Sequence, residues 1–158
     1  MTTSSPKAPI RGLVLAGGRS TRMGTDKCAL ELHGRPQARY CYDLLRGFVG
    51  ETWVSARADQ QGLPSLAGLP LIADRYEGVG PVSGVLSAMD AQPDAAWLLL
   101  ACDLPLADAR GVRALLDGRD AARLGTAYMA SDGFFEPLFA IYEPAMRPWL
   151  HARMEQGR

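Results

Sequence analysis

Leu13-Val14-Leu15-Ala16-Gly17-Gly18-Arg19-Ser20-Thr21-Arg22-Met23-Gly24-Thr25-Asp26-Lys27 is the stretch whose reading decides the fold. The apolar run from Gly12 to Ala16 reads as a buried parallel strand. It breaks at two glycines, where a ligand can approach the backbone closely and positive φ is allowed. Successive N–H groups from Gly17 to Ser20 can form an anion-binding concavity. Arg19, Arg22 and Lys27 supply positive charge for a triphosphate, the arginines in bidentate fashion. The string is neither a Walker A loop nor the dinucleotide fingerprint. By residues alone, a plain strand-to-helix turn and a phosphate loop remain equally open.

Working outward, apolar runs alternate with helical spacing. After the loop, Cys28–Leu32 reads as a short extended piece, and Gln37–Phe48 as a helix entered through Pro36. Strands are predicted at Thr52–Ala56 and Leu71–Ala73, with loop or short helix between. Val82–Ala91 reads as a helix, Trp97–Ala101 as the most apolar strand, and Ala107–Leu116 as a helix. Leu124–Met129 and Pro137–Tyr142 are predicted strands, and Ala145–Met154 a last helix. The alternation implies βαβ units: a three-layer α/β/α sandwich on a mostly parallel, Rossmann-like sheet. In such sheets ligands sit outside the carboxyl ends of the strands. Gly17 and Gly18 follow the first strand, Ser55 to Arg57 end the second, Asp74 ends the third and Asp103 the fourth.

The 158 residues fit one domain, predicted over 10–158, with 1–9 as a disordered tail. Hydrophobic residues make up 47%, and 17 Lys+Arg balance 17 Asp+Glu. That neutrality argues against a general nucleic-acid or anionic-membrane partner. No run approaches the roughly 20 apolar residues of a membrane span. The three cysteines, Cys28, Cys41 and Cys102, show no C-x-x-C spacing, so reduced thiols in the cytoplasm are expected. Cys102 reads as a small core residue, and His33 and His151 as surface histidines without a motif.

Asp103 closes the most apolar strand. It can hold Mg2+ through one or two oxygens beside phosphates, or it can serve as a turn or cap residue before Pro105. Asp74 can accept hydrogen bonds from a ribose hydroxyl or a base N–H, or it can cap a turn. Lys27 is either a triphosphate ligand or a solvated lysine.

The whole string L-A-G-G-x-S-x-R-M-G-x-D-K resembles the signature loop of the molybdenum cofactor guanylyltransferases, a branch of the nucleotidyltransferase superfamily. Asp103-Leu104-Pro105 resembles that family's D-x-P metal motif. Gly80-Pro81-Val82-Ser83-Gly84 resembles its G-P-x-x-G segment, and Glu136-Pro137-Leu138 a segment beside its acceptor pocket. The resemblance implies transfer of GMP from GTP to molybdopterin cofactor, with release of pyrophosphate and dependence on Mg2+. It implies that Lys27, Arg22 and Asp103 are catalytic and that Asp103 holds the metal. It further implies that Leu15, Ala16, Gly17, Gly18, Arg19, Lys27, Ser55, Asp74 and Asp103 bind the nucleotide. Ser55 stands where the family often carries asparagine.

An acceptor phosphate is ionised near neutral pH, so no general base is expected. Gly17-Gly18 matches the guanine-using branch, whereas the cytidine-using branch usually reads Leu-Ala-Ala-Gly. A CTP-dependent or sugar-phosphate nucleotidyltransferase, and a non-catalytic nucleotide-binding protein, are the alternatives. Expected partners are the two small-molecule substrates and, transiently, other proteins of molybdenum cofactor biosynthesis or recipient enzymes, with no nucleic acid and no membrane. Family members usually continue past the last helix into an N-x-N-x-P-x-[DE] segment. The sequence ends at Arg158 without it, so a truncated or impaired enzyme is expected.

Overall fold

The computed structural model describes residues 6–17 and 26–157. Strand β1 (Ile10–Leu15) is followed by helix α1 (Gln37–Arg46), β2 (Thr52–Ala56) and β3 (Leu71–Ala73). Then come α2 (Val82–Ala91), β4 (Ala96–Ala101), α3 (Ala109–Asp117), β5 (Gly125–Met129), β6 (Phe135–Tyr142) and α4 (Met146–Glu155). The strands form one six-stranded sheet in the order β3-β2-β1-β4-β6-β5. β1 pairs in parallel with β2 and with β4, and β2 with β3. β6 runs antiparallel to both β4 and β5, so it alone opposes the common direction.

The alternation of side chains along each strand sorts the core into two layers. Val14, Val54, Leu98, Leu100 and Ile141 face α1 and α3 through Ala38, Cys41, Leu45, Val112 and Leu115. Leu13, Leu15, Trp97 and Leu99 face α2 and α4 through Val85, Leu86, Met89 and Leu150. Every residue of β4 is buried, as expected for a strand covered on both faces. This is the predicted three-layer sandwich with β1 in its interior.

Three local readings shift. Cys28–Leu32, expected to be extended, is instead a single 3-10 turn at Lys27–Ala29, because the Asp26 carboxylate accepts the Cys28 N–H at 3.2 Å and caps it. α3 starts at Ala109 rather than Ala107, because Asp108 accepts the Gly111 N–H at 2.9 Å as its N-cap. At the N-terminus, Ala8 and Pro9 fall within the stretch read as a tail. Yet the Pro9 carbonyl accepts the Ala96 N–H at 2.9 Å, and the Ala8 carbonyl accepts from Arg119 at 2.9 Å.

On the α2–α4 face, Asp90 ties the two helices together. It accepts from Arg147 Nε at 2.7 Å and from the Tyr76 hydroxyl, and its Oδ1 lies 2.9 Å from His151 Nε2. His151 is therefore part of a built network rather than a free surface histidine. Burial raises the Asp90 pKa, but the hydrogen bonds from Tyr76, His151 and Arg147 outweigh it and lower the value to about 2. A folded-state value below the unfolded one gives stability that is present above the ordinary carboxylate range and is lost as pH falls toward about 2. Asp90→Asn is expected to lower Tm at pH 5. The gap to wild type should close as both are titrated toward pH 2, and a gap constant over that range would dismiss the ionised carboxylate as the cause.

Candidate active site

The parallel strands deliver Gly17, Arg57, Asp74 and Asp103 to one edge of the sheet, each just past its strand's carboxyl end. Two groups of contacts form there. In the first, Ser55 Oγ donates to Asp74 Oδ1, and Arg57 Nη1 donates to the Gly17 carbonyl. Burial raises the Asp74 pKa, against the Ser55 hydrogen bond and the Arg57 charge, which lower it. A Cβ on Gly17 would stand 2.5 Å from Asp74 Oδ2, so only glycine lets this carboxylate sit against β1's end. Gly84 plays the same part on α2, where a Cβ would overlap Ser55 Oγ and stand 3.0 Å from Leu15 Cδ2. Ser83 and Ser87, buried on α2, accept the N–H groups of Tyr76 and Arg75 at 3.1 and 2.9 Å and so hold the chain that follows Asp74.

In the second group, Lys27 Nζ donates to Asp103 Oδ2 at 3.4 Å, and both side chains are partly open to solvent. Asp103 lies in the turn after β4 and caps no helix, since Asp108 does that for α3. Its carboxylate is a hard oxygen donor facing solvent beside a cation, which fits a Mg2+ ion that keeps waters and phosphate ligands. No cluster of three or more His, Cys, Asp or Glu able to hold a metal by itself occurs among the described residues.

Leu15 and Ala16 are buried at β1's end, where Ala16 N–H bonds the Ser55 carbonyl at 3.0 Å. Gly18, Arg19 and Arg22 lie outside the described residues. Gly78 and Gly80 have φ of 74° and 62°, the left-handed region that glycine reaches without strain, and they shape the approach to α2. Glu136 Oε1 accepts the Leu138 N–H at 3.1 Å, so part of its polarity is spent within its own strand end. His33 Nε2 lies 3.0 Å from the Pro105 carbonyl and its ring stacks on Tyr40, bracing the turn below Asp103. All three cysteines are buried. Burial, with help from Asp26, pushes the Cys28 thiol up to about 12. The neighbouring Cys41 thiol and burial push Cys102 up as well. Neither is a nucleophile at neutral pH, in keeping with the core role read for Cys102.

Gln60 was not anticipated. It is buried, and it joins the two groups. Its amide nitrogen donates to the Ala16 carbonyl and to Asp26 Oδ2, both at 2.8 Å, and its Oε1 accepts the Arg57 N–H at 3.1 Å.

A model of the MobA-like NTP transferase domain matches residues 12–158. The chain is 41% identical over 140 residues to the molybdenum cofactor biosynthesis bifunctional protein of Synechocystis sp., spanning 87% of this chain and 40% of that relative. It is 34% identical over 152 residues to the molybdenum cofactor guanylyltransferase of a Shewanella species, spanning 94% of this chain and 76% of the relative. The crystal structure of molybdopterin-guanine dinucleotide biosynthesis protein A from Archaeoglobus fulgidus superposes with a TM-score of 0.75 at 24% identity, covering 93% of this chain and 74% of that one. The fold agrees with a match running through nearly the whole sequence, and the chain belongs to the MobA-like NTP transferase family.

Proposed function

We propose that residues 10–158 form a nucleotidyltransferase domain that transfers GMP from GTP to molybdopterin cofactor in the cytoplasm, giving the guanine dinucleotide form and pyrophosphate. The observation that carries this reading is the convergence of Gly17, Asp74, Lys27 and Asp103 on one sheet edge in a chain of this family. Asp74 accepts hydrogen bonds from the nucleoside, and Ser55 holds its carboxylate in place. Lys27, with Arg19 and Arg22, offsets charge on the α-phosphate and the leaving pyrophosphate. Asp103 is the residue that would hold Mg2+, which would supply Lewis-acid stabilisation of that charge. The acceptor phosphate attacks phosphorus directly, so the chain's task is to align the two substrates and neutralise charge. Other proteins of molybdenum cofactor biosynthesis meet the domain only transiently, to deliver acceptor or receive product.

Calorimetry with GTP, CTP, ATP and UTP, each with Mg2+, tests nucleotide choice, and pyrophosphate release with GTP and molybdopterin tests turnover. Binding of GTP without acceptor-dependent release would reduce the domain to a nucleotide-binding module. Gly17→Ala sharpens the test. Its methyl would stand 2.5 Å from Asp74 Oδ2, so the carboxylate bonded to Ser55 must shift. A donor on guanine that loses its acceptor costs about 1–3 kcal/mol, so the GTP:CTP affinity ratio is expected to fall by roughly 5- to 150-fold. An unchanged ratio would remove this glycine and Asp74 from base selection.

A further inference from the structure

We infer that Gln60 is a positioning residue for the triphosphate site: it clamps the two chain ends that flank residues 18–25 and so sets Lys27 against Asp103. The inference rests on the site reading above and adds a residue to it. Gln60 sits in the short 3-10 turn Ala58–Gln60 after β2, far in sequence from Ala16 and Asp26. Its one NH2 group reaches the Ala16 carbonyl at the end of β1 and Asp26 Oδ2 at the start of the Lys27 turn. The other oxygen of Asp26 accepts the Cys28 N–H at 3.2 Å and so fixes the turn that carries Lys27. Lys27 in turn reaches Asp103. A chain of direct bonds thus runs from the end of β1 through Gln60 and Asp26 to the backbone bearing the cation.

The chemistry requires an amide. A planar NH2 offers two donors to two acceptors at once, while Oε1 takes the Arg57 N–H. A glutamate in its place would turn a carboxylate toward the Asp26 carboxylate and the Ala16 carbonyl. The bond to the Ala16 carbonyl is buried and those to Asp26 and Arg57 are part-buried, while Gln60 itself is 1% exposed, so water does not readily replace the amide at Ala16. With its side chain buried and its polar atoms engaged by Ala16, Asp26 and Arg57, Gln60 acts through Asp26 and Lys27.

The test uses Gln60→Ala, Gln60→Glu, Lys27→Ala and the Gln60→Ala/Lys27→Ala pair, with Mg2+·GTP as the probe. Gln60→Ala is expected to weaken GTP binding about tenfold and to leave KM for the acceptor unchanged. Combined with Lys27→Ala it should add little, because the two act along one path. Gln60→Glu should lose GTP affinity as pH rises through the new carboxyl's titration, a limb that wild type lacks. Additive losses, or an equal rise in both KM values, would overturn the clamp. Amide exchange at Cys28, read without nucleotide, must accelerate in Gln60→Ala, and unchanged exchange would overturn the clamp directly. Should the wild type bind no GTP, the nucleotide reading fails, and the exchange result still decides the clamp.

Discussion

Replacing Asp103 with alanine is expected to cut nucleotidyl transfer by a factor of about 10² to 10³ or more while Tm stays within about 1 °C of wild type, because loss of charge stabilisation in the transition state is worth several kcal/mol. The two halves of that expectation have separate causes. Asp103 is exposed, its ion pair with Lys27 spans 3.4 Å, and both side chains are more than 40% open to solvent. An exposed pair of this kind contributes about 0–1 kcal/mol to folding, so its loss leaves stability alone. The same openness is what a metal-binding carboxylate needs. Asp103→Asn separates charge from shape: the amide keeps the turn and one oxygen but loses the anion. Steady-state kinetics in Mg2+ for both variants is the measurement. Comparable collapse in both assigns the effect to charge, whereas a wild-type rate in Asp103→Ala would leave the residue with a turn role only.

The second large effect lies at the opposite end of the sheet. Arg119→Ala is expected to destabilise the fold by about 3–5 kcal/mol, the cost of leaving a buried charge without its partner. Arg119 and Glu143 have side chains only 7% and 3% exposed, and they meet in a two-point fork of 2.6 and 2.9 Å. The same guanidinium bonds the Ala8 carbonyl, so one residue joins the end of α3, the end of β6 and the chain leading into β1. At roughly 2–4 °C per kcal/mol for a domain of this size, Tm should fall by about 6–20 °C. The control is Arg119→Met with Glu143→Leu, which removes both charges. It is expected to recover most of the loss, as buried pairs replaced by apolar groups of like volume often do. Urea unfolding of the three proteins decides the matter, and a loss below about 1 kcal/mol in Arg119→Ala would show that Glu143 finds another partner.

The layers of the fold were legible in the sequence because periodicity reports burial. Trp97–Ala101 reads as a strand buried on both sides, and it is. The glycine at the end of β1 was legible too, although its reason was not: the neighbour that demands it, Asp74, arrives from another strand. Strand-end position also flagged Ser55 and Asp74, but only the folded chain shows that they bond each other. Gln60 was illegible for a physical cause. A glutamine in a polar, proline-punctuated stretch looks like solvated loop; one of its partners, Arg57, caps its own turn, but the other two, Ala16 and Asp26, lie on segments that meet it only after folding. The Lys27–Ala29 turn departs from the extended reading of Cys28–Leu32 because that short apolar run carries no helical spacing, whereas one capping bond from Asp26 sets the backbone.

The place of β1 in the sheet has a kinetic corollary. Ile10 pairs with Ala96 and Gly12 with Thr52, so β1 is synthesised long before either of its neighbours. Neither ladder closes locally, and the chain between must be drawn in at a loop-closure cost before β1 is covered. β4 brings a fully apolar segment into this unfinished assembly, and its other flank stays open until β6 emerges and turns back along it. On a ribosome the nascent chain therefore carries its stickiest strand exposed while β5, β6 and α4 are still being made, which is the interval in which a holding chaperone would matter most to the yield of folded protein.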